Sequence, residues 1–142
     1  MNVILQLVVS LLLGSFVFPE QTSRLHIHIH HANSDQGKIL LLVFNQADGF
    51  PDQIQKAYRQ AVLIPKNQSA ELILENIPHG KYAITVLHDE DNSGEMNTNA
   101  IGLPTEKYGF SNNPKIYFGP PSFEKSAVTL GAEHRTILIN LH

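Results

Sequence analysis

The chain contains no cysteine, which excludes a disulfide framework, a thiol nucleophile and any thiolate metal site. A domain of this size can be stable without such staples, so the absence does not argue against export. Basic residues are few: 10 Lys and Arg against 13 Asp and Glu leave a formal net charge of −3, whereas nucleic acid demands a basic face. No helix-period segment is long enough to cross between parallel strands, which disfavours an α/β fold. The last absence is local. Val3 to Phe18 carries no charged residue, yet the run is shorter than the roughly 20 apolar residues that span a bilayer.

That run has the length of a signal-peptide core, and polar chain follows at once in Glu20, Gln21, Thr22 and Ser23. Only the terminal amine supplies positive charge, because no Lys or Arg precedes Val3, and no A-x-A marks a cleavage site. No Cys follows to carry a lipid anchor. The expected organisation is a signal peptide over residues 1–22 and one domain over 23–142, since 142 residues leave room for a single core. The mature chain is then secreted or periplasmic, without a transmembrane segment, and begins between Pro19 and Arg24.

From Leu25 the sequence alternates. Leu25, Ile27 and Ile29 fall on one face and His26, His28 and His30 on the other, a period of two that marks a strand with one buried side. Turn residues from Asn33 to Gly37 precede a nearly continuous apolar strand, Ile39 to Phe44. Asp48-Gly49-Phe50-Pro51 ends it, and Asp52 to Tyr58 suits a short helix. Further strands are expected at Ala61 to Ile64, around Leu72 to Leu74, over Tyr82 to Leu87, at Ala127 to Leu130 and at Thr136 to Leu141. Short strands spaced by turn residues predict an all-β fold, a single antiparallel β-sandwich of about seven strands. Its core should contain Leu25, Ile27, Ile29, Leu41, Val43, Ile84, Val86, Ile137 and Ile139.

One stretch breaks the rhythm. Asp89 to Phe123 shows no clear strand longer than Ile116 to Phe118, and a connection of that length in a compact domain is usually functional or disordered. Tyr108, Phe110, Tyr117, Phe118 and Phe123 predict an ordered loop pinned to the sandwich, and function is expected there. Tyr108, Phe110, Ser111, Asn112 and Asn113 are the candidate ligand-binding residues of that loop.

Asp89-Glu90-Asp91-Asn92-Ser93-Gly94-Glu95-Met96-Asn97 has partial calcium-loop spacing. Calcium takes six to eight oxygens from alternate positions around a glycine bend. Asp89, Asp91 and Ser93 stand at the first, third and fifth places, Gly94 at the sixth, the Glu95 carbonyl at the seventh and Asn97 at the ninth. The twelfth place, where a bidentate Glu belongs, is Ala100, and a strand rather than a helix leads in, so this is no EF-hand. Four acidic residues lie between Asp89 and Glu95, with no Lys or Arg from Tyr82 to Glu106. Calcium is the one cofactor this predicts. A solvated Asx- and Gly-rich turn uses the same residue types.

His26, His28, His30 and His31 are a second metal candidate, for zinc or copper, although a zinc site requires a further ligand from another element. Nucleophilic chemistry has weaker support. Gly109-Phe110-Ser111-Asn112-Asn113 departs from G-x-S-x-G at its second glycine. His88 and Asp89 are strand neighbours that point to opposite faces. No catalytic residue is assigned. Asn67-Gln68-Ser69 is a glycosylation sequon.

Several motifs occur together in order: Gly49-Phe50-Pro51, Lys56-Ala57-Tyr58, Ile77-Pro78-His79-Gly80-Lys81-Tyr82-Ala83, His88-Asp89-Glu90, Asn92-Ser93-Gly94, Gly102-Leu103-Pro104, Tyr108 to Asn113, and Gly119-Pro120-Pro121-Ser122-Phe123. In these the chain resembles a family of exported bacterial proteins known as domain of unknown function 2141, across nearly all of the mature chain. The resemblance implies an exported sandwich similar to transthyretin-like and carboxypeptidase-regulatory-like domains, in which the Pro-x-Gly-x-Tyr hairpin recurs. It brings no reaction. The family pattern in the acidic loop is D-x-N-x-N-G-x-x-D, against which this chain has Asp91 and Ser93 at the asparagine places and Asn97 at the aspartate. The expectation is a non-catalytic extracytoplasmic module that binds calcium weakly or another ligand, with an unknown extracytoplasmic ligand or protein as partner. The alternative is a metal-dependent hydrolase, or a copper- or zinc-handling protein, that uses the acidic loop or the amino-terminal histidines.

Overall fold

A computed structural model describes residues 20–142. The expected leader therefore lies outside the described residues except for its last three positions. Strand β1 (Thr22–His30) begins one residue ahead of the expected domain boundary. The strands that follow are β2 (Lys38–Phe44), β3 (Arg59–Leu63), β4 (Ser69–Pro78), β5 (Gly80–Asp89), β6 (Tyr108–Phe110), β7 (Val128–Leu130) and β8 (Arg135–Asn140). A 3-10 turn at Ile54–Lys56 takes the place of the expected short helix, and one helix, α1, spans Phe123–Ser126.

The strands form two sheets. The smaller has the order β4-β1-β8; the larger has β3-β2-β5-β6, with β7 added to β5. Pairing is antiparallel with one exception, β1 with β8, which run parallel. A hairpin cannot join parallel neighbours. Here the rest of the domain is the crossover, because β7 belongs to the larger sheet and the chain changes sheets before β8 begins.

Leu25, Ile27 and Ile29 of β1 meet Ile39, Leu41 and Val43 of β2, Ile84 and Val86 of β5, and Ile137 and Ile139 of β8 in one buried cluster. All nine residues expected in the core are buried. The alternation is what places them there, since a one-residue slip would send each set to solvent. The β4–β5 turn is held by its own side chain: the Tyr82 hydroxyl donates to the Pro78 carbonyl at 2.8 Å. Burial raises the pKa of that hydroxyl.

The long connection is ordered, in a different way from that expected. Its strand is Tyr108–Phe110, which pairs with Thr85–Leu87 of β5; Ile116 to Phe118 forms none. Phe110 and Phe123 stand 5.9 and 6.1 Å from Phe50, which itself lies 5.5 Å from Phe44. This aromatic group packs outside the main core, since Phe44 follows inward-facing Val43 and so points through the opposite face of the sheet. Tyr117 and Phe118 do not pin the segment; they are 76% and 100% exposed. Among the described residues no helix is long and apolar enough to cross a membrane.

Candidate metal centre in the acidic loop

The loop starts where β5 ends. Asp89 still pairs with Lys38 of β2 and is 1% exposed. Its Oδ1 accepts the Ser93 N–H at 3.0 Å and its Oδ2 accepts the Gly94 N–H at 2.9 Å. Asp91 closes a tighter turn: Oδ1 accepts from the same Ser93 N–H at 3.0 Å, and Oδ2 from the Asn97 amide at 2.7 Å. The Asn97 amide first, and then Ser93, holds the Asp91 carboxyl below its ordinary value. Gly94 makes the bend at φ +83°, a conformation that residues with a Cβ resist.

Beyond Asn97 the chain doubles back in a small hairpin. Thr98 bridges Pro104, the Asn99 side chain accepts from the Ile101 and Leu103 N–H groups, and the Thr105 N–H donates to the Asn97 carbonyl at 2.8 Å. The return brings Glu106 under the loop. Its Oε1 accepts the Glu90 N–H at 3.1 Å and its Oε2 the Asn97 N–H at 3.0 Å, and the residue is 8% exposed. Carboxylate oxygens of Asp89, Asp91 and Glu106 thus lie within 4.8 Å of one another. Among the described residues none of the three is paired with a Lys, Arg or His.

The other expected ligands are placed differently. The Ser93 hydroxyl donates to the Glu95 carbonyl at 3.1 Å, which joins two of the expected ligand groups to each other within the loop. The Glu95 side chain is exposed. Glu90 turns to the β1–β2 connection, where the Ser34 hydroxyl and the Asn33 amide donate to it at 2.6 and 3.0 Å and lower its pKa. His88 is fully buried, and both ring nitrogens are engaged: Nδ1 accepts the Asn33 N–H at 3.1 Å and Nε2 faces the Gln36 carbonyl at 2.9 Å. The imidazole braces the β1–β2 connection, both of its ring nitrogens being taken up by that connection's backbone.

A family described as uncharacterized proteins conserved in bacteria (DUF2141) matches residues 27–138. The chain belongs to this family. Comparison with curated proteins finds no match, and comparison with solved structures finds none. The expected likeness to transthyretin-like domains finds no support in these comparisons.

The candidate ligand loop of this DUF2141 chain spends its polar groups on the backbone. The buried Ser111 hydroxyl accepts the Ile84 N–H at 2.8 Å and donates to the Ser126 carbonyl. Asn112 donates to the Lys125 carbonyl at 2.9 Å. Asn113 donates to the Leu138 carbonyl at 2.7 Å and accepts the Asn140 N–H at 2.9 Å, tying the loop to β8 of the opposite sheet. Both asparagines adopt positive φ, as that residue tolerates. Tyr108 and Phe110 lie in β6. The residue that sequence reasoning missed is Glu106. Its one signal was its position, as the last residue of the stretch from Tyr82 to Glu106 that carries no Lys or Arg.

Proposed function

We propose that this DUF2141 chain is an exported, non-catalytic β-sandwich module whose acidic loop binds calcium through Asp89, Asp91 and Glu106. The observation that carries the reading is the burial of two of these carboxylates, Asp89 and Glu106, beside a third with no cationic side chain to balance them. Like charges this close repel unless a cation intervenes, and oxygen-only ligands favour a hard ion. Each carboxylate oxygen engaged by one N–H keeps a second lone pair. Glu106 supplies the carboxylate that spacing alone leaves missing at Ala100.

The non-catalytic part rests on the saturation of the would-be catalytic groups. His88 has no ring nitrogen free to take a proton, and the Ser111 hydroxyl is committed to two backbone partners. Export rests on the charge-free run from Val3 to Phe18. The deciding experiment is a melting curve with and without calcium, repeated on the Asp89→Asn, Asp91→Asn double variant. With Kd on the order of 10⁻⁴ M, in the range of extracellular modules, a hundredfold excess of calcium should stabilise the fold by about 2.7 kcal/mol. An unchanged wild-type melting temperature, or an equal rise in the double variant, refutes the calcium reading.

A further inference from the structure

We propose that His26, His28 and Glu71 form a second, independent metal site, for a divalent transition ion, on the outer face of the smaller sheet. The three are assembled by strand register. His28 of β1 is paired directly with Glu71 of the antiparallel neighbour β4. His26, two residues earlier, projects from the same face. That register is fixed from the other side of the sheet, where Leu25, Ile27 and Ile29 are fully buried. β1 is also the central strand, held by β4 on one edge and β8 on the other.

The geometry suits a small ion bound by nitrogen and oxygen. His26 Nε2 lies 3.3 Å from one Glu71 oxygen, and His28 Nδ1 lies 3.2 Å from the other. One ligand atom from each of the three residues can be chosen so that all lie within 4.8 Å of one another. Bonds of roughly 2.0–2.1 Å from a tetrahedral ion set neighbouring ligands about 3.3–3.4 Å apart. Each measured separation is close to such an edge, taken to a different oxygen of Glu71, and a side-chain adjustment of the order of an ångström lets one of those oxygens serve the same ion as both imidazoles. The rings are close, with centroids 4.1 Å apart, and both side chains are nearly three-quarters covered. Their rotamers are thereby restricted before an ion arrives. Two imidazoles and one carboxylate leave a fourth position open to water or an external donor. Imidazole ligands select zinc, copper or nickel over calcium, and copper(II) binds most tightly in the usual order. His30 stands farther off, its ring 6.5 Å from that of His28, and His31 beyond it.

The test is metal titration of the untagged chain with Cu²⁺ and with Zn²⁺, copper being followed by the nitrogen hyperfine pattern of its spin-resonance spectrum. One equivalent should bind through two imidazole nitrogens, copper more tightly than zinc. His28→Ala and Glu71→Gln should each weaken binding at least tenfold, while His31→Ala should leave it unchanged. Neither change touches the buried face of β1, so a cooperative metal-free melting transition should show that the variants fold. Asp89→Asn with Asp91→Asn should leave copper binding intact, which separates this site from the calcium loop. The proposal is overturned if neither ion binds, if His28→Ala and Glu71→Gln bind as wild type does, or if His31→Ala produces the loss instead.

Discussion

Gly37 lies so close to Asp89 that a Cβ built on it would stand 2.1 Å from the Asp89 carbonyl oxygen. The turn after β1 and the start of the acidic loop are therefore in direct backbone contact, and Gly37 also sits at φ +71°. The site is built on a second connection as well as its own. Asn33, Ser34 and Gln36 from that turn hold Glu90 and His88.

Gly37→Ala should consequently disturb the site as well as the fold. A clash with backbone cannot be relieved by rotating a side chain. The expected loss is about 2–3 kcal/mol in a denaturant titration, together with a reduced calcium response.

Ile84 and Ile139 face each other's sheets across the core, and both are fully buried. Truncating either to Ala should cost about 2–5 kcal/mol, the usual penalty for an aliphatic core cavity. Urea unfolding of the two variants measures it, and a loss below 1 kcal/mol (of the order seen for surface changes) would contradict the packing.

The roles of the acidic side chains can be separated. Glu106→Gln should abolish most of the calcium-induced rise in melting temperature, because it removes one of three converging carboxylates. Glu90→Gln should leave that rise in place, since its carboxylate is directed to Ser34 and Asn33. Equal behaviour of the two variants would mean that the loop responds to net charge alone.

Acid should loosen the same region. Glu90 is held below its ordinary value of 4.5 by hydrogen bonds from Ser34 and then Asn33. Asp91 is held below 3.8 by Asn97 and Ser93. A depressed carboxyl stabilises the fold above its unfolded value, and that contribution is lost as pH falls through the ordinary value and then the lowered one. Stability should therefore decline from about pH 4.5 downward. Ser34→Ala, which removes the main cause at Glu90, should flatten that decline in acid-unfolding curves.

The proposed export places the cleavage site next to a constrained segment. The His79 N–H donates to the Gln21 carbonyl at 3.0 Å, Thr22 pairs with Pro78, and the Ser23 hydroxyl donates to the Glu133 carbonyl at 2.9 Å. Cleavage after Thr22 would strip the first two of these contacts from the start of β1, and cleavage after Ser23 all three. Terminal sequencing of the exported protein should find Gln21 retained, and a mature chain that starts at Arg24 would show the bonds dispensable.

Much of the fold was legible because β structure writes itself locally. Leu25, Ile27 and Ile29 alternate with histidines over a run long enough to show period two, and near the other end Ile137, Ile139 and Leu141 recur at the same spacing. The three-residue strand Tyr108–Phe110 escaped because so short a run has no period to detect. Tyr117 and Phe118 were misjudged for a different reason. Aromatic character suggests burial, but nothing in sequence says which aromatics of one loop reach the sheet.

Sequence alone determined the all-β class, the faces of the main strands and the position of the acidic loop, since each follows from the order of neighbouring side chains. Tertiary structure alone decided which side chains converge. Glu106 joins Asp89 and Asp91 only through the hairpin after Asn97, and Glu71 meets His26 and His28 only through the pairing of β4 with β1. A metal site requires ligand atoms within a few ångströms of one point, and for residues distant along the chain that proximity comes from strand pairing and chain reversal.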